Sequence, residues 1–298
     1  MITDLKPIFK VLILLAFLFL LGAMEVSGSG NSEDVTSYGK GFLYVAQVFG
    51  VLLVFVFLPG LFIFLFTKDK LRYPKMHVAP GALMLLLAAT VFLLGLPLIA
   101  WMESINRQMT LPSSFASLEN WMKVSEEKQG QIAEFMLNGT GVKNLVVNLF
   151  VIAFMAAFSE ELFFRGILQK AFIEFTKNIH VAVWVTAALF SAFHMQFYGF
   201  LPRMVMGALL GYLFVWSGSL WVNIFAHFVN NAFAVVVSWL AQRGSISKEL
   251  EGGDVSFPAI AGIVSLILVT GLMYLVYKNR KIEAEIPEDE ITGSIDQI

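Results

Sequence analysis

The chain contains no cysteine, and few of its 298 residues carry a charge. Without cysteine it has no disulfide bonds, no thiolate metal ligands and no cysteine nucleophile. Charged residues make up 14% of the chain, whereas a typical soluble domain contains about 25%. The formal net charge of −2 provides no basic field to attract nucleic acid. These absences argue against a soluble protein and predict no nucleic-acid partner.

What the chain has instead is long apolar runs. Hydrophobic residues make up 58% of it, and the mean hydropathy is +0.76. A run of roughly 20 apolar residues can cross a bilayer as a helix, and lipid leaves the backbone no alternative to internal hydrogen bonds. The sequence therefore predicts an all-α, polytopic membrane protein with about eight transmembrane helices, at residues 8–24, 42–66, 79–101, 142–169, 181–197, 201–216, 220–240 and 257–277.

The predicted spans form one membrane domain in three parts. Residues 1–141 hold three transmembrane helices and an interfacial segment, residues 142–241 hold the core helices, and residues 242–298 hold the last span and a tail. Within 102–141, Trp121 stands among charged residues, which predicts a helix at the headgroup level. The alternative is a solvated loop with one helix. The acidic tail at 283–289 is predicted to be disordered.

Lysine and arginine are concentrated on one side of this arrangement. The basic positions that fall on that side are Lys6, Lys10, Lys68, Lys70, Arg72, Lys75, Lys170, Lys177, Lys278, Arg280 and Lys281. The opposite side, with 31–34, 102–141 and 248–254, is mixed or acidic. By the positive-inside rule, both termini are predicted to be cytoplasmic, in a prokaryotic inner (plasma) membrane. The alternative for the first span is a signal peptide.

The fourth predicted span carries ionisable residues where lipid is expected. Such residues are costly in a membrane and indicate function. Glu160 and Glu161 point about 100° apart on a helix, so they cannot share one role. Glu161 and Arg165 are four residues apart and share a face as an ion pair. Glu160 then has no local partner and is a candidate general base or acid. The alternative is that both glutamates meet water at the cytoplasmic end.

Two further spans carry a histidine each, His194 and His227. A lone histidine in a helix is more often a core residue than a catalyst. His227 and Asn231, however, are one turn apart and share a face, whereas Asn230 is predicted to point away as a helix-packing residue. Together with Glu160, these residues supply what peptide hydrolysis needs: a base, an imidazole and donors for an oxyanion.

These residues fall into three ordered motifs. Residues 160–165 read EExxxR, residues 190–194 read FxxxH, and residues 227–231 read HxxxN. This order resembles the CAAX protease and bacteriocin-processing family (CPBP or Abi), over roughly residues 142–240. The resemblance implies an eight-helix intramembrane endopeptidase with a cavity open towards the cytoplasm. The implied roles are activation of water by Glu160 and His194, oxyanion binding by His227 and Asn231, and support from Glu161 and Arg165.

The resemblance also implies a class of substrate. Eukaryotic and archaeal members remove the last three residues of prenylated CAAX proteins, and prokaryotic members are implicated in bacteriocin maturation or self-immunity. The expected partners are a peptide or protein substrate, prenylated or membrane-anchored, and membrane lipid. The oligomeric state is not predicted by the sequence. The alternative functions are a non-proteolytic immunity or scaffold protein and a proton-coupled transporter.

A mechanism without a cofactor fits these residues better than a metal site. The alternative is a divalent metal such as zinc, held by Glu160, His194 and His227. Zinc hydrolases do use three such ligands and an open position. The paired histidines of an HExxH helix are missing, however, and asparagine is a poor zinc ligand. An oxyanion hole therefore explains the pairing of His227 with Asn231 better than a coordination shell does.

Overall fold

The computed structural model describes residues 6–29, 39–247 and 258–280, and this part of the chain contains helices and no strand. The predicted segments 31–34 and 248–254 and the acidic tail 283–289 lie outside the described residues. We number the main helices of the described ranges in chain order: α1 Pro7–Ser29, α2 Gly39–Phe66, α3 Ala82–Asn106, α4 Ala116–Leu137, α5 Val142–Thr176, α6 Ile179–Phe193, α7 Phe200–Ser217, α8 Leu220–Gln242 and α9 Ala259–Lys278.

Eight of these helices are apolar and lie where the sequence predicts spans. Six are long and apolar enough to cross a bilayer, while Pro7–Phe19 and Ile179–Phe193 are shorter apolar helices. Their outer faces expose large apolar side chains, including Val45, Phe49 and Ile267. Such exposure is costly in water and favourable in lipid. The prediction of an all-α, polytopic membrane protein is confirmed.

The helices pack around two apolar clusters. One cluster joins α1, α2, α5, α6, α7 and α8, and includes Phe163, Phe164 and Phe190. The other joins α3, α7, α8 and α9, and includes Val91 and Val269. Because α7 and α8 contribute to both clusters, they form the centre of the bundle. The predicted interfacial segment contains α4, which lies outside both clusters.

Two glycines on α7 let neighbouring helices approach closely. A Cβ atom on Gly207 would lie 3.2 Å from the Cα of Ala187 on α6. A Cβ atom on Gly211 would lie 2.8 Å from a methyl carbon of Val183 on α6 and 2.9 Å from the side-chain oxygen of Gln169 on α5. Small residues at such positions allow backbones in a membrane bundle to pack side by side.

The connection between α2 and α3, residues 67–81, closes one end of the bundle. We call it the basic connection because it carries Lys68, Lys70, Arg72 and Lys75. Pro74 packs against Gly166 of α5, where an added Cβ would lie 3.1 Å from the proline ring. The backbone N–H of Leu220 donates to the carbonyl of Lys75 at 3.3 Å, and Trp221 Nε1 donates to the carbonyl of Met76 at 2.9 Å. These contacts fix α5 and α8 to the connection.

At the other end, α6 stops earlier than predicted. The sequence predicted a span over 181–197 with His194 deep inside a helix, but α6 ends at Phe193 and His194 is its C-terminal cap. The next residue, Met195, has a left-handed φ of 53°, which breaks the helix. A short turn at Phe197–Gly199 then leads into α7. Helix α4 covers this turn: Trp121 contacts the ring of Phe197.

Candidate active site

Glu160 and Glu161 lie side by side on α5 in different environments. The side chain of Glu161 is fully buried, whereas that of Glu160 is 18% exposed. The Glu160 oxygen Oε2 is itself buried and has no hydrogen-bond partner among the described residues. A buried carboxylate oxygen without a partner costs free energy. The two adjacent side chains, which the sequence predicts to point in different directions, therefore lie in different surroundings.

Glu161 is held by three side chains. Arg165 NH1 donates to Glu161 Oε1 at 2.6 Å, as expected for residues one helical turn apart. From α8, His227 Nδ1 lies 2.8 Å from the same oxygen, and Asn223 Nδ2 donates to Oε2 at 3.2 Å. Asn223 also donates to the carbonyl of Leu210 at 2.6 Å. Glu161 thus joins α5, α7 and α8.

His194 is oriented by its own helix. Its Nδ1 lies 2.7 Å from the carbonyl oxygen of Phe190, four residues earlier. A carbonyl only accepts, so Nδ1 carries the proton and satisfies a backbone group at the helix end that would otherwise lack a partner. The other ring nitrogen, Nε2, faces Glu160 at 3.8 Å from Oε2. The spacing of Phe190 and His194 in the sequence therefore has a structural cause.

His227 faces both glutamates. Its Nδ1 is bonded to Glu161, so the proton on that nitrogen points at a carboxylate. Its Nε2 lies 3.9 Å from Glu160 Oε2. The structure thus brings Glu160, His194 and His227 together, and both Nε2 distances are too long for a direct hydrogen bond but within the reach of one bridging water.

Asn231 lies one turn beyond His227 on α8, on the same face. Asn230 Nδ2 donates to Asn231 Oδ1 at 3.3 Å, so the Asn231 amide presents its N–H₂ group away from Asn230. Asn230, which the sequence predicts to point away from the face of His227 and Asn231, lines the cleft described next and so does more than pack against a helix. Both Asn230 and Asn231 are partly exposed.

An open cavity of about 710 Å³, which we call the cleft, lies on the α4 side of these residues. Its walls include Glu103, Glu126, Gly130, Arg203, Met206 and Asn230. Glu160, His194 and His227 are not in its lining. Arg203, which is in the lining, is close enough to Glu160 and to Glu126 to interact electrostatically with both.

The cleft carries fixed charges at its rim. On α4, Lys123 lines the cleft and donates to Glu119 at 2.7 Å. This hydrogen bond lowers the pKa of the Glu119 carboxyl and raises the pKa of the Lys123 ammonium group. Both groups therefore stay charged over a wider pH range. Glu126 accepts a hydrogen bond from the backbone N–H of Tyr198 at 3.0 Å, which anchors α4 to the turn after His194.

The alternative metal ligands lie somewhat farther apart than the ligands of a tetrahedral zinc ion. Two ligands about 2.1 Å from a tetrahedral zinc stand roughly 3.4 Å apart, whereas both imidazole Nε2 atoms lie 3.8–3.9 Å from the Glu160 oxygen. Among the described residues, no group of three histidine, aspartate or glutamate side chains is arranged to hold a metal. The hydrogen bonds at His227 Nδ1 and His194 Nδ1 leave both Nε2 atoms facing Glu160.

Sequence reasoning missed Asn223, Gln169 and Arg203. Asn223 lies one turn before His227, and Gln169 one turn after Arg165, so the i, i+4 spacing that identified their neighbours also marks these two. Gln169 Nε2 donates to the carbonyl of Gly211 at 3.0 Å. Arg203 is an ionisable residue near the start of α7, and its position in an apolar span was the available signal.

Comparison with known proteins supports the motif assignment. Residues 142–233 match the family model described as type II CAAX prenyl endopeptidase Rce1-like. A curated relative, the uncharacterized protein YpbD of Bacillus subtilis (strain 168), is 29% identical over 94 residues, which cover 30% of this chain and 45% of the relative. The match thus spans less than half the length of that relative. No solved structure gave a significant match.

The matched region contains α5 to α7 and the part of α8 with His227 and Asn231. It therefore includes all three motifs, in order, together with every residue of the candidate site. The resemblance inferred from those motifs is confirmed by an independent comparison. Residues 142–233 of this membrane protein are thus similar to the Rce1-like family of type II CAAX prenyl endopeptidases.

Proposed function

We propose that this protein is an intramembrane endopeptidase that hydrolyses a peptide bond near the membrane, with Glu160 and His194 activating water. The observation that supports it is the convergence of the Glu160 carboxylate with His194 Nε2 and His227 Nε2, at 3.8 and 3.9 Å. Water bound between Glu160 and His194 would be positioned for proton transfer. The match of residues 142–233 to the Rce1-like family also supports a membrane protease, at the level of the family.

The proposed reaction begins with transfer of a water proton to Glu160. The hydroxide oxygen attacks the carbonyl carbon, and the carbonyl π electrons move to its oxygen, which becomes an oxyanion. The intermediate collapses when the C–N bond breaks, and the proton held by Glu160 passes to the leaving nitrogen. The products are a carboxylic acid, which then loses its proton to solvent, and an amine. His194 accepts a hydrogen bond from the water through Nε2, because Nδ1 is committed to Phe190.

His227 and Asn231 are the proposed oxyanion donors. The Nδ1 proton of His227 points at Glu161, so Nε2 can donate only if the ring is an imidazolium. Glu161 orients the imidazole through this hydrogen bond, and Arg165 holds Glu161 in position. Asn231 supplies an amide N–H without any change of charge. Glu161 and Arg165 thus act through His227 and are positioning residues in this proposal.

The proposed mechanism needs no metal. Each of the steps above is assigned to a side chain that this chain supplies, and the distances of 3.8 and 3.9 Å from the Glu160 oxygen to the two Nε2 atoms leave room for a bridging water. A zinc mechanism would instead require the carboxylate and both Nε2 atoms to move together. Sensitivity of the activity to a chelator, with recovery on adding zinc, would favour that alternative.

The testing experiment uses the full chain in lipid nanodiscs with a set of synthetic peptides. The set pairs prenylated CAAX peptides with unprenylated copies and with peptides that carry an apolar anchor, and mass spectrometry locates each cut. We expect cleavage of at least one anchored peptide by the natural sequence. The Glu160→Gln variant should lose about 10²–10⁴-fold in rate, the usual contribution of a general base.

The matched control is Glu134→Gln, the same change at an exposed position of α4 outside the cleft lining. It should cleave like the natural sequence. Equal cleavage by the Glu160→Gln variant would contradict the proposed role of Glu160. Tight binding of a peptide without any cleavage would instead favour a non-proteolytic immunity or scaffold protein.

A further inference from the structure

Access to Glu160 differs between the side that faces the basic connection and the side that faces the cleft, and this difference bears on the substrate. Between Glu160 and the basic connection, α5 places Arg165 and Gln169, both fully buried. Arg165 NH2 donates to the carbonyl of Gly207 at 3.1 Å, and Gln169 donates to that of Gly211. These bonds tie α5 to α7, and both side chains are closed off from solvent.

Apolar packing completes the closure on that side. Phe164, Ile167 and Leu168 of α5 and Leu220 of α8 are fully buried in one cluster. Beneath them, Pro74 of the basic connection packs on α5. Interiors packed in this way contain few voids large enough for water. Among the described residues, this packed layer separates the basic connection from Glu160.

The opposite side of the centre is open. The cleft begins at the layer formed by Arg203, Met206 and Asn230 and extends between the end of α3 and α4. Its volume of about 710 Å³ lies within the range of ligand sites, roughly 300–1,000 Å³. Its walls combine carboxylates such as Glu126 with cations such as Arg203, which suits a peptide backbone better than an isoprenoid chain.

The charge distribution assigns these two sides to two compartments. The closed side carries the basic connection, Lys10 and Lys177, and the start of the tail with Lys278 and Arg280. The positive-inside rule places this side in the cytoplasm. The cleft then faces away from the cytoplasm. The expected cavity open towards the cytoplasm and the expected cytoplasmic basic loops are therefore incompatible in this structure.

We propose that the catalytic centre receives its substrate from the extracytoplasmic face of the membrane, through the cleft between α3, α4 and α7. The substrate class is a polypeptide that has already crossed the membrane, or a membrane-anchored precursor whose scissile bond lies on the outer side. The inference about substrate rests on the proposed endopeptidase function, whereas the direction in which the cleft opens is independent of it.

The test uses the absence of cysteine, because each introduced cysteine is then the only thiol. Gly130→Cys places a thiol on the α4 wall of the cleft, where an added Cβ meets nothing within 4 Å. Leu71→Cys places one at an exposed position of the basic connection. Each variant is treated with a membrane-impermeant sulfonated maleimide in right-side-out and in inside-out bacterial membrane vesicles.

We expect Gly130→Cys to react only in right-side-out vesicles and Leu71→Cys only in inside-out vesicles. The reversed pattern would overturn the proposal, and so would labelling of Gly130→Cys only after detergent is added. A Met206→Cys variant tests the depth of the cleft with a small impermeant thiosulfonate. It should react from the same face as Gly130→Cys, and reaction from the opposite face would also overturn the proposal.

Cleavage is measured separately. Anchored peptides added outside sealed right-side-out vesicles should be cut, and the same peptides added to sealed inside-out vesicles should not. Cutting only in inside-out vesicles would overturn the proposed direction of entry. If labelling gives the expected pattern and no peptide is cut in either preparation or after detergent, the endopeptidase proposal fails while the direction of the cleft stands.

Discussion

The region between Glu160 and the basic connection is closed, whereas the cleft on the other side is open. Glu161 belongs to the closed side and Glu160 to the open side, although the two residues are adjacent in α5. On the closed side, Glu161 has three side-chain partners and no exposure. On the open side, Glu160 Oε2 has no hydrogen-bond partner among the described residues, and the open cleft lies on this side. A buried charge with partners stabilises one arrangement of helices, whereas a charge without them is free to react.

A substitution at Glu161 should have the largest effect on the contrast between the closed and the open side. The Glu161→Gln variant leaves the fully buried Arg165 cation without its carboxylate, and loss of one partner of a buried pair typically costs 3–5 kcal/mol. We expect a fall in the free energy of unfolding of about that size, measured by denaturation in detergent micelles. The adjacent Glu160→Gln variant is the matched control and should change stability by less than about 1 kcal/mol.

A double variant sharpens this prediction. Removing both charges, with Glu161→Gln and Arg165→Gln together, should cost less than the sum of the two single changes, because no unpaired charge remains. Equal loss of stability in Glu160→Gln and Glu161→Gln would mean that the two carboxylates share one environment, and the contrast drawn above would be wrong.

Asn231 tests the open side. Removing an oxyanion donor typically costs about 10²–10³-fold in kcat, or 2.7–4 kcal/mol, and we expect a loss in that range for Asn231→Ala, with little change in KM. The measurement is steady-state cleavage of the best peptide substrate. Asn279→Ala, at the exposed end of α9, is the control and should leave both constants unchanged. An increase in KM alone would assign Asn231 to substrate positioning.

Gly211 tests the packing that closes the other side. An alanine Cβ there would lie 2.8 Å from Val183 and 2.9 Å from Gln169, so the α6–α7 and α5–α7 contacts must shift. Overpacking of this kind typically costs about 1–3 kcal/mol, and we expect the Gly211→Ala variant to unfold correspondingly earlier in denaturant. Gly271→Ala on α9, which meets nothing within 4 Å, should be neutral or slightly stabilising. Equal stability of the two variants would contradict the proposed tight contact.

Asn230 should give the smallest effect. A neutral hydrogen bond contributes about 0.5–1.5 kcal/mol. The Asn230→Ala variant removes the hydrogen bond that orients the Asn231 amide, and it should therefore lower kcat roughly 3- to 10-fold. An Asn230→Gln variant, which keeps an amide, should recover part of the rate. A loss as large as that of Asn231→Ala would show instead that Asn230 itself contacts the substrate.

Part of the site is readable from the sequence because it depends on one helix at a time. The pairing of Glu161 with Arg165 follows from a spacing of four residues, and so does the shared face of His227 and Asn231. The interpretation failed where the local chain path changed. His194 caps α6 instead of lying inside it because Met195 is left-handed, and Asn230 lines a cleft whose other wall is formed by α4.

Other features could not be predicted because they join distant segments. The hydrogen bond between His227 and Glu161 connects residues 66 apart, and the bonds from Arg165 and Gln169 to the α7 carbonyls span 42 residues each. Their formation depends on how closely α5, α7 and α8 approach. That distance is set by Gly207 and Gly211, whose missing side chains are visible in the sequence but whose neighbours are not.

The sequence by itself determined that this chain is a helical membrane protein, and that it carries three motifs with candidate catalytic side chains. It could do so because spans must be long and apolar, and because helical periodicity fixes which neighbours share a face. Only the tertiary structure decided that His227 and Asn223 also hold Glu161, and on which side the cleft opens. Those properties depend on contacts between helices, and such contacts depend on the packing of the whole bundle.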